Sequence, residues 1–134
     1  MILGVIPARL NSTRFPNKVI FSLNGKTIVE HVYNKAIQSS LIDKLVVAVD
    51  SEKTEKLINC SNIMMTSDKH ESGTDRVAEV ANNYDCDIVV NIQGDEPGID
   101  PKLIDQLISL FNDPDVKMAS VAVSYTHLTL PTKA

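Results

Sequence analysis

The chain has 134 residues, of which 43% are hydrophobic and 22% charged, and its formal net charge is −4. That length carries one domain with a core of its own, and the acidic balance excludes a protein that grips nucleic acid through bulk charge. The two cysteines, Cys60 and Cys86, show neither metal nor redox spacing, and no apolar run reaches the length of a membrane span, so a cytoplasmic protein without a leader segment is expected.

Ile2–Ile6 is a short apolar run closed by Pro7, and it reads as a buried strand. The loop that follows holds Arg9, Arg14 and Lys18 together with Ser12, Thr13 and two prolines. Cations at that density suit a polyphosphate, whose ionised oxygens form charge-assisted bonds with Arg and Lys. A solvated basic turn is the plain alternative. The loop is not a P-loop, because it lacks glycine and any Gly-Lys-Ser/Thr run. Asn17 can adopt the left-handed conformation usually left to glycine, with Lys18 beside it as a point charge.

Thr27–Ser39 carries Ile28, Val29, Val32, Tyr33, Ala36 and Ile37 at helical spacing. Leu45–Val49 is a second apolar strand. Ser51–Asn59 reads as a short polar helix capped by Ser51 or Asp50, and Asn62–Met65 as a weaker strand. His70-Glu71-Ser72-Gly73-Thr74-Asp75-Arg76 then leads into a helix over Thr74–Asn83, with Val77, Val80 and Ala81 on one face. Gly73 allows close backbone approach, and free N–H groups at the helix start favour an anion or a base edge. An ordinary capped helix accounts for the same residues. His70 is read as a loop residue, with ligand contact as the alternative.

Asp87–Ile92 is another buried strand, and it runs into Gln93-Gly94-Asp95-Glu96-Pro97. Mg²⁺ prefers one or two carboxylates with phosphate oxygens and water. Adjacent side chains on extended backbone point apart, so Asp95 is taken as the ligand and Glu96 is not. A capped turn is the alternative. Pro101–Phe111 is a helix with proline in its first turn and Leu103, Leu107, Ile108 and Phe111 inward. Met118–Val123 is the last strand.

This alternation predicts an α/β fold, a Rossmann-like, mostly parallel sheet with helices on both faces. Ligands in such sheets sit beyond the carboxyl ends of the strands, where strand order reverses. Arg9, Lys18 and Asp95 line one cleft if Ile2–Ile6 and Asp87–Ile92 are neighbours.

Three stretches taken together are Ile6-Pro-Ala-Arg9 with Ser12-Thr-Arg14 and Pro16-Asn-Lys18, His70 to Arg76, and Val90-Asn-Ile-Gln-Gly-Asp-Glu-Pro97. They resemble the nucleotidyltransferases that activate sugars, and more closely the 3-deoxy-manno-octulosonate (Kdo) cytidylyltransferases. Asn17 stands where that family usually has glycine. The resemblance runs over 1–123, roughly the first half of a family member, and so implies a truncated fold of the nucleotide-diphospho-sugar transferase type. Residues 124–134 fit nothing in the family, resemble translated adapter sequence, and are expected to be non-native or disordered.

The resemblance implies transfer of a cytidylyl group from CTP to Kdo, giving CMP-Kdo and pyrophosphate for lipopolysaccharide biosynthesis, with Mg²⁺ as cofactor. It implies that Arg9, Lys18 and Asp95 are catalytic and that Asp95 holds the metal. Ala8, Arg9, Ser12, Thr13, Arg14, Lys18, Ser72, Gly73, Thr74 and Arg76 would bind the nucleotide, and Gln93 the substrate. The whole enzyme is expected to be a homodimer with no nucleic-acid or membrane partner, and the shortened chain to be inactive alone. A cytidylyltransferase for another acidic sugar, or a non-catalytic nucleotide-binding fragment, are the alternatives.

Overall fold

Four parallel strands form the sheet, in the spatial order β5-β4-β1-β6. The computed structural model describes residues 1–8, 22–23, 25–70, 73–94, 98–112, 120–122 and 127–129. In chain order the elements are β1 (Ile2–Ala8), β2 (Ser22–Leu23), β3 (Lys26–Thr27), α1 (Ile28–Ala36), β4 (Lys44–Val49), α2 (Glu52–Leu57), β5 (Ile63–Met65), α3 (Gly73–Ala81), β6 (Ile88–Asn91), α4 (Pro101–Ser109), β7 (Ser120–Ala122) and β8 (His127–Thr129).

β1 is the central strand. It pairs with β4 from Leu3↔Lys44 to Ala8↔Val49, and on its other edge with β6 from Ile2↔Ile88 to Val5↔Asn91. The chain builds outward from β1 through β4 to β5, then crosses back to add β6 on the opposite side. The reversal of strand order therefore lies between β1 and β6, the two strands that sequence alone expects to be neighbours.

Alternation along the strands sends side chains to two faces. Ile6, Ala8, Leu45, Val47, Val49 and Val90 pack with Val29, Val32 and Tyr33 of α1 and Ile104, Leu107 and Ile108 of α4. Leu3, Val5, Val46 and Ala48 pack with Val77 and Val80 of α3. Each Val, Leu or Ile among them contributes roughly 1.5–3 kcal/mol when fully buried.

The helix ends follow from local chemistry. Thr27 caps α1 by accepting the Glu30 N–H at 3.2 Å. Ser51, rather than Asp50, caps α2 through the Thr54 N–H at 3.2 Å, while Asp50 accepts from the Thr54 hydroxyl at 3.3 Å. Asp100 caps α4 through the Lys102 N–H at 2.9 Å, with Pro101 in the first turn. From α4, Asp105 accepts from the Ser39 hydroxyl, from Ser40 N–H at 3.1 Å and from Leu41 N–H at 3.3 Å. Burial opposes that charge, but these bonds outweigh it and hold the Asp105 carboxyl below its ordinary range.

The structure departs from the sequence expectation in three places. β2 and β3 form an antiparallel hairpin ahead of α1, with Gly25 at φ 83°. Ile104, not assigned inward from sequence, is 1% exposed, and Phe111 falls in a 3₁₀ turn over Leu110–Asn112 where it is only half-buried. The last strand does not extend the parallel sheet: β7 pairs antiparallel with β8, from Ser120↔Thr129 to Ala122↔His127. Only a short connection separates the two in sequence, which an antiparallel pair accepts and a parallel pair cannot. β8 lies within 124–134, so three residues of that stretch are in a strand; the rest of it lies outside the described residues.

Candidate functional site

Two glycines meet at the carboxyl end of β1. A Cβ on Gly94 would stand 2.9 Å from the Pro7 carbonyl oxygen, 3.3 Å from Ile6 Cγ2 and 3.5 Å from Val29 Cγ2. A Cβ on Gly73 would stand 3.3 Å from Pro7 Cγ. The segment after β6 and the first residue of α3 thus press against the same proline from two sides. This is the crevice between β1 and β6, where strand order reverses and ligands of such sheets bind.

Of the residues expected to bind nucleotide, Ala8, Gly73, Thr74 and Arg76 are described. Ala8 is fully buried at the end of β1, and Thr74 is exposed in the first turn of α3. Gln93 is exposed just past β6, its amide nitrogen 3.5 Å from Asn91 Oδ1. Arg9, Ser12, Thr13, Arg14, Lys18, Ser72 and Asp95 lie outside the described residues, and so does the expected cleft of Arg9, Lys18 and Asp95. Ala8 and Gly94 lie next to two of these segments in the chain.

Arg76 is 2% exposed. Its Nη1 donates to Thr66 Oγ1 at 2.6 Å and to the Ser67 carbonyl at 2.9 Å. The Thr66 hydroxyl in turn donates to the carbonyl of Val49, the last residue of β4, at 2.7 Å. The guanidinium is thus buried and bonded through Nη1 to the stretch that follows β5.

Three residues at this corner were not picked out from sequence. Glu79 Oε1 accepts the Ser67 N–H at 2.9 Å and lies 2.8 Å from His70 Nε2. The Ser67 N–H foremost, and then His70, hold the Glu79 carboxyl below its ordinary range. Glu79 stands three residues beyond Arg76, the helical spacing that puts both on one side of α3. That spacing is the one signal by which sequence could have joined Glu79 to Arg76; nothing local marks Thr66 or Ser67.

Among the described residues, no three His, Cys, Asp or Glu side chains gather as a metal site, and no helix is long and apolar enough to cross a membrane.

The sequence profile of the cytidylyltransferase family matches residues 3–134. A 3-deoxy-manno-octulosonate cytidylyltransferase of Trichlorobacter lovleyi is 46% identical over 123 residues, 90% of this chain and 49% of that protein. One from Leptospira interrogans is 47% identical over 126 residues, 91% of this chain and 51% of that protein. The chain therefore spans about half the length of the curated relatives it matches. A solved CMP:2-keto-3-deoxy-manno-octonic acid synthetase complexed with CTP superposes with a TM-score of 0.80 at 37% identity, over 86% of this chain and 49% of that one. A cytidylyltransferase from Leptospira borgpetersenii superposes with a TM-score of 0.73 at 26% identity, over 87% of this chain and 51% of that one. With the β1–β6 crevice and this match along its length, the chain belongs to the cytidylyltransferase family.

Proposed function

We propose that the chain is the CTP-binding half of an enzyme that joins CTP and 3-deoxy-manno-octulosonate to give CMP-Kdo and pyrophosphate. The observation that carries this reading is the 46% and 47% identity, over 90% and 91% of this chain, with relatives named 3-deoxy-manno-octulosonate cytidylyltransferase. In the reaction the anomeric hydroxyl of the sugar attacks the α-phosphorus. A new P–O bond forms, the bond to pyrophosphate breaks in line, and the hydroxyl proton passes to solvent.

The work of the protein is to position both substrates and to neutralise charge. Arg9, Arg14 and Lys18, with Ser12 and Thr13, would hold the triphosphate just past β1. Ala8, Ser72, Gly73 and Thr74 would hold the cytidine, and Gln93 a hydroxyl of the sugar. Asp95 follows Gly94 directly, and a carboxylate there is the hard oxygen donor that Mg²⁺ takes alongside phosphate oxygens. When bound, Mg²⁺ would polarise those oxygens and offset their charge. The two cysteines are free thiols, in keeping with a reducing, cytoplasmic setting. The homodimer is carried by the resemblance alone.

A second reading, nucleotide binding without turnover, requires only the part of its relatives that this chain matches, about half of their length. Calorimetric titration of the chain with CTP and with ATP, each with and without Mg²⁺, tests both. CTP should bind more tightly, and Lys18→Ala should weaken it in a salt-dependent way. Equal affinity for CTP and ATP overturns the cytidine reading. Turnover with a panel of acidic sugars decides between transfer and binding alone.

A further inference from the structure

The segment that leads into α3 is clasped from both sides of its backbone by side chains of α3 itself. Arg76 takes the carbonyl of Ser67, and Glu79 takes its N–H, at 2.9 Å each. Glu79 also holds His70 Nε2 at 2.8 Å. Thr66, just before, is anchored twice to the Val49 carbonyl, by its N–H and by its hydroxyl, at 2.7 Å each. Lys69 N–H closes the turn on the Ser67 hydroxyl at 3.1 Å.

Only Glu71 and Ser72 separate His70 from Gly73, the first residue of α3. Gly73 in turn rests on Pro7. The start of α3 is therefore located by three fixed points: the end of β4 through Thr66, the end of β1 through Gly73, and the helix body through Arg76 and Glu79. Packing alone does not require this. The apolar contacts of α3 run through Val77 and Val80 on the sheet side, whereas the Glu79 side chain is one-third exposed and the His70 side chain about one-fifth.

We propose that Glu79, acting through Ser67 and His70, is a positioning residue that presets Gly73 and Thr74, at the start of α3, for nucleotide. This rests on the CTP-binding reading above. Glu79 touches no substrate. It fixes the segment before ligand arrives, so that ordering it does not have to be drawn from binding energy.

The test uses the whole chain as wild type, Glu79→Ala and Glu79→Gln, with Asp105→Ala as a control that loosens the molecule elsewhere. Amide hydrogen exchange is read at Ser67 and at Val77, the first residue closed onto Gly73 by a helical bond, and CTP affinity is read by calorimetry. Glu79→Ala should raise exchange at both amides and weaken CTP by about tenfold, the size of one lost charge-assisted hydrogen bond. Glu79→Gln keeps an acceptor for the Ser67 N–H and should recover most of both. Asp105→Ala should lower thermal stability without raising exchange at Ser67.

Unchanged exchange in Glu79→Ala overturns the clasp whatever CTP does. Faster exchange with unchanged CTP affinity overturns its positioning role. A CTP loss no greater than that of Asp105→Ala at equal loss of thermal stability does the same. A wild-type chain that ignores CTP counts against the cytidylyl-transfer reading, and the exchange measurement still decides the clasp.

Discussion

Gly94 lies so near the end of β1 that a Cβ on it would stand 2.9 Å from the Pro7 carbonyl oxygen. The obstacle is backbone, which cannot swing aside as a flexible side chain would. Gly94→Ala should push the segment after β6 away from β1, at a cost of about 1–3 kcal/mol in stability. CTP affinity should fall with it, because the two walls of the crevice part. Chemical denaturation and calorimetry check both, and a Gly94→Ala chain with wild-type stability rules out this close approach.

Arg76 is a buried cation whose bonds go to Thr66 and Ser67. Arg76→Met keeps the length and apolar stem but leaves the Ser67 carbonyl without this donor. The loss should be about 1–3 kcal/mol, with native-like circular dichroism because the packing of α3 through Val77 and Val80 persists. Urea unfolding measures it. A neutral result means that the guanidinium is not holding the β5–α3 corner.

Asp105 makes stability depend on acid. Its carboxyl titrates below the ordinary 3.8 in the folded chain, so the stabilisation is complete above that value and is lost as pH falls through the lower, folded one. Asp105→Asn should therefore be less stable than wild type at pH 7, by about 1 kcal/mol for a partly solvated group. The gap should close as pH drops below the folded titration. Paired urea midpoints across pH 2–7 give the curve, and a constant gap contradicts the assignment.

Cys60 is half-buried, and burial first, then the charge of Glu30, pushes its thiol up to about 12. The thiolate is the reactive form, so in the native chain Cys60 should react with iodoacetamide at pH 8 slower by about a thousandfold than after unfolding. Mass spectrometry of timed samples resolves the site. Equal rates in the native and unfolded chain refute the shift.

The parallel sheet was legible because its strands are continuous apolar runs, as in Leu45–Val49, and because helices and strands alternate. Pro101 announced α4 plainly. The β2–β3 hairpin was marked in sequence by Asn24-Gly25, a strong turn signal, but the helical pattern from Thr27 obscured it. Ile104 was overlooked because four other residues, Leu103, Leu107, Ile108 and Phe111, had already been assigned to the inward stripe. The polar clusters at the ends of β1 and β6 were visible as chemistry. The close approach of Gly73 and Gly94 to Pro7 was not, since it depends on strand order. Arg76 was assigned to the cytidine through the family resemblance; its burial and its bonds to Thr66 and Ser67, just past β5, depend on how α3 packs and carry no local signal.

The central place of β1 also bears on how the molecule is made. Its β4 edge can close early, but its β6 edge waits for residues 88–91. A chain interrupted before then would present a row of unpaired N–H and C=O groups along β1, a template for pairing with another chain. β6, which bounds the crevice opposite β1, is thus also the strand that covers this edge and protects the nascent sheet from aggregation. Ligand can reward folding only after that edge is sealed, so CTP added during refolding should leave the early steps unaltered and slow only the reopening of β6.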